Sequence, residues 1–452
     1  MSKLPLKEKS GYGIGAFGTE MISTTVSSYL MVFMTGVLGI PAAAAGTMFL
    51  VAKIWDAIND PIMGTIADRT RTRWGSYRPY VLFGCIPQSI FFVLCFTIPG
   101  FLTTPVSKLV WAYVIYICYG MANTVINVPT GALNNVMTTD GNERASLATF
   151  KNVGASAAGL ISGVIAMPII MYFGKGEVNA QGYLGFAIVC AAVSIVSYLF
   201  MFATSKERMK PFEKKTSIRD GFRSFKGSKP DFALMIGFIV CGIAIPFRGM
   251  WTAYYCLYYL KLPMLISSLS FVVNLVPLVI SPLLLGVMKR FGKKNALLGC
   301  FIAQVFSGVL FLLAGANVPL LMIASAISGL GKAAMTVTFA AVPDVCDYNE
   351  YKNHIRTPGF AYTAVMFCFK LGTGLVSYFC GMLLMMVGFV EGQETQSAAT
   401  CYGIYWMNGV IPIVFSVIAI LAVIFLYNLN NKRTAEIEAE LKIRRAEAEK
   451  NQ

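Results

Sequence analysis

Trp55-Asp56-Ala57-Ile58-Asn59-Asp60-Pro61, running on into Asp68-Arg69-Thr70-Arg71-Thr72-Arg73-Trp74-Gly75-Ser76-Tyr77-Arg78-Pro79, decides how the rest of the chain is read. Its first half sets two carboxylates and an amide inside an apolar run, and its second half is an abrupt basic loop. On a helix, Asp56 and Asp60 lie one turn apart and Asn59 falls between them, so their oxygens share a face. Carboxylates at membrane depth are costly to desolvate and mark a functional site by default. Two of them with an amide form a hard-oxygen set that suits a small cation. Repulsion between the empty carboxylates raises the proton affinity of one, so a proton is a second candidate occupant. The structural alternative pairs Asp56 with Lys53 and Asp60 with Lys370.

Composition places this stretch in a membrane. The chain has 452 residues, 56% hydrophobic and 13% charged, with a mean hydropathy of +0.65. A soluble domain carries roughly 25% charged residues, and a bilayer needs about 20 apolar residues per span. About twelve runs meet that length. The formal net charge of +15 does not point to nucleic acid, because the Lys and Arg surplus lies in loops between apolar runs. Alternate loops hold almost all of it, while the opposite loops hold Lys108, Lys175 and Lys261. By the positive-inside rule both termini are cytoplasmic. The eleven cysteines are scattered without a Cys-x-x-Cys pair and read as small buried hydrophobes. A single histidine, His354, sits in a predicted loop, and Gly331-Lys332 lacks the flanking residues of a phosphate loop. Neither catalysis nor ATP-driven transport fits, so the chain is expected not to be an enzyme and to need no cofactor beyond a coupling ion.

The longest polar segment divides the chain. We expect a six-helix bundle over 1–204, a basic cytoplasmic loop over 205–231, a second six-helix bundle over 232–428 and a cytoplasmic tail over 429–452, read as a solvated helix from its alternating Glu and Lys/Arg. Gly11 and Gly15 in the first run have the small-xxx-small spacing of packed membrane helices. Pro61-x-x-Gly64 before Asp68-Arg69 is echoed by Pro282-x-x-x-Gly286 before Lys289-Arg290-Phe291-Gly292-Lys293-Lys294. Two six-helix halves with such a repeat are the pattern of major facilitator carriers.

Trp55 to Pro79 closely resembles the signature of the glycoside–pentoside–hexuronide:cation symporters, typified by the melibiose permease. So do Asp344-Val345-Cys346-Asp347-Tyr348-Asn349-Glu350-Tyr351-Lys352 and the opening Glu8-Lys9-Ser10-Gly11-Tyr12-Gly13-Ile14-Gly15. The resemblance covers nearly the whole chain. It implies an all-α polytopic membrane protein with twelve transmembrane helices, in a bacterial inner membrane, coupling sugar uptake to Na⁺, Li⁺ or H⁺. The family's cation site falls on Asp56, Asn59 and Asp60, with Thr124 as a further ligand. Its sugar acids fall on Glu20, where Asp is usual, and on Asn127. Its run-eleven lysine falls on Lys370, and Lys151 stands where an Arg is typical. Gly131 replaces the tryptophan that stacks on melibiose, which argues against melibiose itself.

The residues themselves extend this. Glu20, Asn123, Asn127 and Lys370 are polar groups suited to sugar hydroxyls. Trp251, Tyr254 and Tyr255 read either as an aromatic platform for a pyranose or as an interfacial belt. Asp68, Arg69, Arg71, Arg73 and Arg78 are expected to lock a cytoplasmic gate against Asp344 and Asp347 or against helix ends. Bases at depth (Lys53, Arg248, Lys332, Lys370) outnumber acids (Glu20, Asp56, Asp60), so Arg248 and Lys332 are candidates for an anionic sugar such as a uronic acid. A carrier of a lipid or other amphiphile is the alternative cargo for the same fold.

Overall fold

The computed structural model describes residues 4–138, 141–208, 223, 225, 227–353, 358–393 and 395–450. His354 and most of the basic central loop, including Lys210, Lys214, Lys215 and Arg219, lie outside the described residues.

Among the described residues the chain is helical, with no strand and one isolated bridge, Thr72 to Gly75. Helix α1 (Leu6–Thr25) continues through two π-helical turns, Val26–Leu30 and Phe33–Val37. It is followed by α2 (Ala42–Arg69), α3 (Arg78–Cys95), α4 (Pro105–Met137), α5 (Gly141–Phe173) and α6 (Ala180–Thr204). Helix α7 (Lys229–Tyr254) also ends in a π-helical turn, Tyr255–Tyr259. Then come α8 (Met264–Phe291), α9 (Lys293–Ala314), α10 (Val318–Lys332), α11 (Ala334–Asn353), α12 (Pro358–Met386), α13 (Ala398–Phe425) and α14 (Asn431–Lys450).

Nine of the described helical spans are long and apolar enough to cross a membrane, with α10 and α11 counted as one span over Val318–Asn353. Three expected runs, the first, the second and the eighth (α8, apolar over Met264–Ile280), are helical but not among the nine, and for α2 the reason is chemical. Lys53, Asp56 and Asp60 interrupt the apolar stretch of α2, so no uncharged run in it is long enough to count as a span.

Contacts group the chain into two compact units. The first comprises Met1–Phe212 with Gly249–Asn274 and Ser377–Tyr405, and the second Glu213–Arg248, Leu275–Val376 and Trp406–Gln452. In the first unit α1 packs on α5 and α6, while α4 packs on α2 and α3. The glycines of α1 permit this closeness, as their spacing predicts. Gly11 faces Thr204, Gly15 faces Met201 and Gly18 faces Ser197, all on α6. On the α5 side, a Cβ added at Gly154 would stand 2.0 Å from the Gly13 carbonyl oxygen, so the two backbones touch.

The same unit holds the expected aromatic cluster, buried in the protein rather than arranged as a belt. Trp251, Tyr254 and Tyr255 are each fully buried. The Trp251 indole N–H donates to the Ile404 carbonyl at 2.8 Å, and the Tyr254 and Thr35 hydroxyls are hydrogen-bonded at 2.6 Å. Residues this buried cannot form an interfacial belt, and the Trp251 donor is already engaged by backbone.

In the second unit the core runs through α7, α9, α11, α12 and α13 and reaches the tail. Ile437 and Leu441, one turn apart on α14, are buried, and Arg444 donates to the Tyr351 carbonyl at 3.1 Å. The tail is thus docked through Ile437 and Leu441 rather than solvated on every side. Two apolar positions at helical spacing outweigh the surrounding charge.

Candidate functional site

Helices α2 and α4 build the polar centre of the first unit. Asp56 and Asp60 are one turn apart on α2, and Gly120 and Thr124 are one turn apart on α4, facing them. A Cβ at Gly120 would stand 3.0 Å from Asp56 Oδ1, so α4 passes directly over that carboxylate. Thr124 Oγ1 donates to Asp60 Oδ1 at 3.0 Å. Lys53 Nζ donates to Asp56 Oδ2 at 3.1 Å. Asp56 is 7% exposed, and its Oδ1 has no hydrogen-bond partner. A buried carboxylate oxygen left unpaired costs roughly 1–3 kcal/mol or more, so the arrangement is poised to accept a cation or a proton. Asn59 is half-buried on the same helix. The donor set of two carboxylates, an amide and a hydroxyl fits a hard monovalent ion.

The ion pair of the structural alternative is therefore present at Asp56, but it uses one oxygen only. Lys53 neutralises the carboxylate while leaving Oδ1 open.

Beside this centre lies a second polar cluster. Asn123 Oδ1 accepts from Gln88 Nε2 and from Asn127 Nδ2, both at 2.8 Å. Gln88 on α3 is fully buried and was not among the residues singled out from the sequence. Its signal was a lone amide in an otherwise apolar run. Glu20 accepts from Thr24 at 3.2 Å, and Tyr198 donates to Thr19 at 3.2 Å on the same stretch of α1. Lys151 on α5 is within electrostatic reach of Glu20. Glu20, Asn123, Asn127 and Lys151 thus all belong to the first unit.

Lys332, Lys370 and Arg248 belong to the second. Lys332 closes the last turn of α10, and Lys370 is half-buried on α12. Arg248 is only 5% exposed, and its position has a specific backbone cause. Pro412 interrupts α13 and has no N–H to give the carbonyl four residues earlier, which is that of Asn408. Arg248 Nη1 donates to this carbonyl and to Asn408 Oδ1, both at 3.2 Å, while its guanidinium lies 4.2 Å from the Phe311 ring centroid. Arg248 Nε and Nη2 make no hydrogen bond. The side chain braces a proline-broken helix, which the charge balance alone did not reveal.

The basic loop after α2 also finds its partners locally. Arg71 donates to the Asp68 and Thr70 carbonyls at 2.6 and 2.9 Å and to Ser76 Oγ at 3.2 Å. Arg73 stacks on Trp74. Arg78 donates to the Phe202 carbonyl at 2.7 Å and lies over that ring. Asp68 Oδ1 accepts from the Tyr77 hydroxyl at 2.6 Å. Burial, and then this hydrogen bond, push the Tyr77 phenol above its ordinary value, so it stays a donor. Arg69 ends α2. In the second unit Asp344 accepts from Lys293 at 2.5 Å, and Asp347 lies one turn along α11. Within each unit these residues make internal bonds, several of them to carbonyls in the last turn of a helix, which is one of the two kinds of partner expected for the lock.

The organiser of this loop is Glu207. Its carboxylate accepts from the backbone N–H groups of Ser76, Tyr77 and Arg78 at 2.7, 2.8 and 2.9 Å, capping the start of α3. Gly75 makes room: it sits at φ +112°, and a Cβ there would stand 2.5 Å from the Glu207 carboxyl carbon. Removing a charged cap costs roughly 1–2 kcal/mol. Glu207→Ala is therefore expected to lower the melting temperature of the purified protein by a few degrees, and Glu207→Gln by less.

Residues 11–431 match the family model for MFS/sugar transport proteins. The isoprimeverose transporter of Lactiplantibacillus pentosus is 32% identical, over 93% of this chain and 88% of its own. The glucuronide carrier protein homolog of Escherichia coli strain K12 is 30% identical, over 95% of this chain and 94% of its own. Among solved structures, the nucleoside transporter NupG superposes with a TM-score of 0.67, covering 94% of this chain and all of its own at 14% identity. That likeness concerns the fold.

Proposed function

The chain belongs to the MFS/sugar transport protein family, whose members are carriers rather than enzymes, and on that premise we propose that it moves a sugar or glycoside together with Na⁺, Li⁺ or H⁺. Its relatives' names include an isoprimeverose transporter and a glucuronide carrier protein homolog, and the polar residues Glu20, Asn123, Asn127 and Lys151 suit hydroxyl-rich cargo. The observation that carries the coupling is the unpaired Asp56 Oδ1, beside an Asp60 held by Thr124.

In the ion-free state Lys53 stands as counter-ion to Asp56. An arriving cation takes the open oxygen together with Asp60 and Thr124, and the neighbouring α3–α4 amide cluster lies on the same helix, so ion and sugar order the same segment. Binding of one then favours binding of the other. The two bundles rock about the bound pair in alternating access. The protein resides in the bacterial inner membrane with both termini cytoplasmic, on the asymmetry of its basic loops.

Uptake into proteoliposomes under imposed Na⁺, Li⁺ or H⁺ gradients, with isoprimeverose, a glucuronide and a neutral β-glycoside, tests this reading. At least one sugar should accumulate above equilibrium under one of the gradients. Equilibration of every sugar regardless of gradient would contradict it. Arg248 Nη1 is engaged by Asn408 while its Nε and Nη2 are not, so preference for a glucuronide can rest on Arg248 as well as on Lys332, Lys370 or Lys151. Lys332→Gln should selectively lower uptake of the charged sugar if Lys332 is its partner.

A further inference from the structure

The run Lys289-Arg290-Phe291-Gly292-Lys293-Lys294 joins α8 to α9 and has no part in the mechanism above. Beside it, α8 and α9 enclose an open cavity of about 430 Å³, backed by the end of α10. Ile280, Leu284, Val287 and Phe291 form its α8 wall, at helical spacing, and Asn295 and Gly299 belong to its α9 wall. The whole lining belongs to the second unit. Apart from Asn295, near the basic end, it is apolar.

Two features define an occupant. The first is depth: Ile280 and Phe291 are eleven residues apart, about 16 Å along the helix, close to half of a hydrocarbon core of about 30 Å. The cavity is therefore as deep as one leaflet. The second is charge. Lys293 is neutralised by Asp344, whereas Arg290 is exposed and stacks on Phe291, a wall of the cavity, at 5.4 Å from the ring centroid. Lys294 Nζ reaches only a backbone carbonyl, that of Ile424 at 3.4 Å. Arg290 thus places positive charge on Phe291, at one end of the apolar lining, Lys294 is the chain neighbour of the lining residue Asn295, and neither base has a carboxylate partner among the described residues.

We propose that this cavity binds an anionic phospholipid from the leaflet on the basic-loop side, one acyl chain lying along α8 and α9 and the phosphate meeting Arg290 and Lys294. Basic pockets between membrane helices recognise anionic headgroups through this charge pairing. The amide of Asn295 supplies a donor at the headgroup end of the chain. Leu283, exposed on the outer side of α8, continues the apolar surface toward the surrounding lipid.

Gly299 offers a way to close the cavity. It lines the cavity, and a Cβ added there meets nothing within 4 Å. A side chain can therefore start from this position without displacing a neighbour, and that of Gly299→Leu should occupy the cavity. The full-length purified protein, exchanged into mixed micelles containing phosphatidylglycerol or phosphatidylcholine, is washed and examined by intact-complex mass spectrometry. The wild type should retain phosphatidylglycerol and lose phosphatidylcholine. Arg290→Gln, at an exposed position, should lower retention roughly fivefold, the worth of one basic residue near an anionic lipid. Gly299→Leu should abolish it. Equal retention of both lipids, or phosphatidylglycerol retention unchanged in Arg290→Gln, would overturn the proposal. Transport of sugar by Arg290→Gln in neutral-lipid vesicles reports separately on the coupling mechanism and is expected to match the wild type there.

Discussion

Asp60→Asn should abolish concentrative uptake while leaving sugar exchange intact. The substitution removes one of the two charges that define the ion site but keeps an oxygen near Thr124 Oγ1, which now donates to Asp60 Oδ1 at 3.0 Å. Losing a charged hard ligand to a small ion costs about 3 kcal/mol, or on the order of 100-fold in ion affinity. Each coupled cation contributes about 2.3 kcal/mol per 100 mV, which supports roughly fifty-fold accumulation. Without it the internal sugar should rise only to the external level. Counterflow, which needs no gradient of ion, should persist. Accumulation by Asp60→Asn equal to the wild type would remove Asp60 from coupling.

Lys53 makes the same experiment informative from the other side. Its ammonium bonds Asp56 Oδ2 at 3.1 Å and leaves Oδ1 open. Lys53→Met should strengthen cation binding at low salt, since an internal competitor is removed, and slow the return of the empty carrier, since two carboxylates must then cross without a counter-ion.

The second large effect concerns Arg248. Replacing it by Met leaves the Asn408 carbonyl without a donor inside the protein, at a cost of about 1–3 kcal/mol. Removing a buried charge offsets part of that, so the single variant alone has an ambiguous sign. The pair with Pro412 resolves it. Pro412→Ala restores the helical N–H that the Asn408 carbonyl lacks, so Arg248→Met should be milder in the Pro412→Ala background than in the wild type. A coupling of about 1–3 kcal/mol in melting experiments on the four proteins is expected. Strict additivity would mean that Arg248 holds α13 by other contacts.

The proposed ion site could be drawn from the sequence because most of its candidate ligands sit on one helix, where periodicity fixes which residues share a face. Asp56 and Asp60 fall where a 3.6-residue repeat puts them, and the resemblance added Thr124 from the facing helix. The Gly11/Gly15 spacing was legible for the same reason. What failed to show were partnerships made through the backbone. Arg71 and Arg78 read in sequence as gate cations facing acids or helix ends, and their acceptors include the carbonyls of Asp68 and Phe202 in the last turns of α2 and α6, together with that of Thr70, though no residue type announces which carbonyls they are. Glu207 is a lone acid far from the α3 start that it caps, so sequence distance hid it. Arg248 was read as an unbalanced charge because only side-chain charges entered the balance. The offset between Asn408 and Pro412 was visible, but an orphan carbonyl becomes a site only when another helix supplies a donor. The tail misled for the opposite reason: Ile437 and Leu441 are two apolar residues among many charged ones, and two suffice to dock a helix.

Reciprocity between ion and sugar can be measured on the purified carrier. Isothermal titration should give a sugar affinity that rises when Na⁺, Li⁺ or low pH is supplied, and an ion affinity that rises by the same factor when the sugar is present, as thermodynamic linkage requires. In Asp60→Asn both factors should fall to one. A wild-type sugar affinity independent of all three ions would contradict ion capture at Asp56 and Asp60 as the source of coupling.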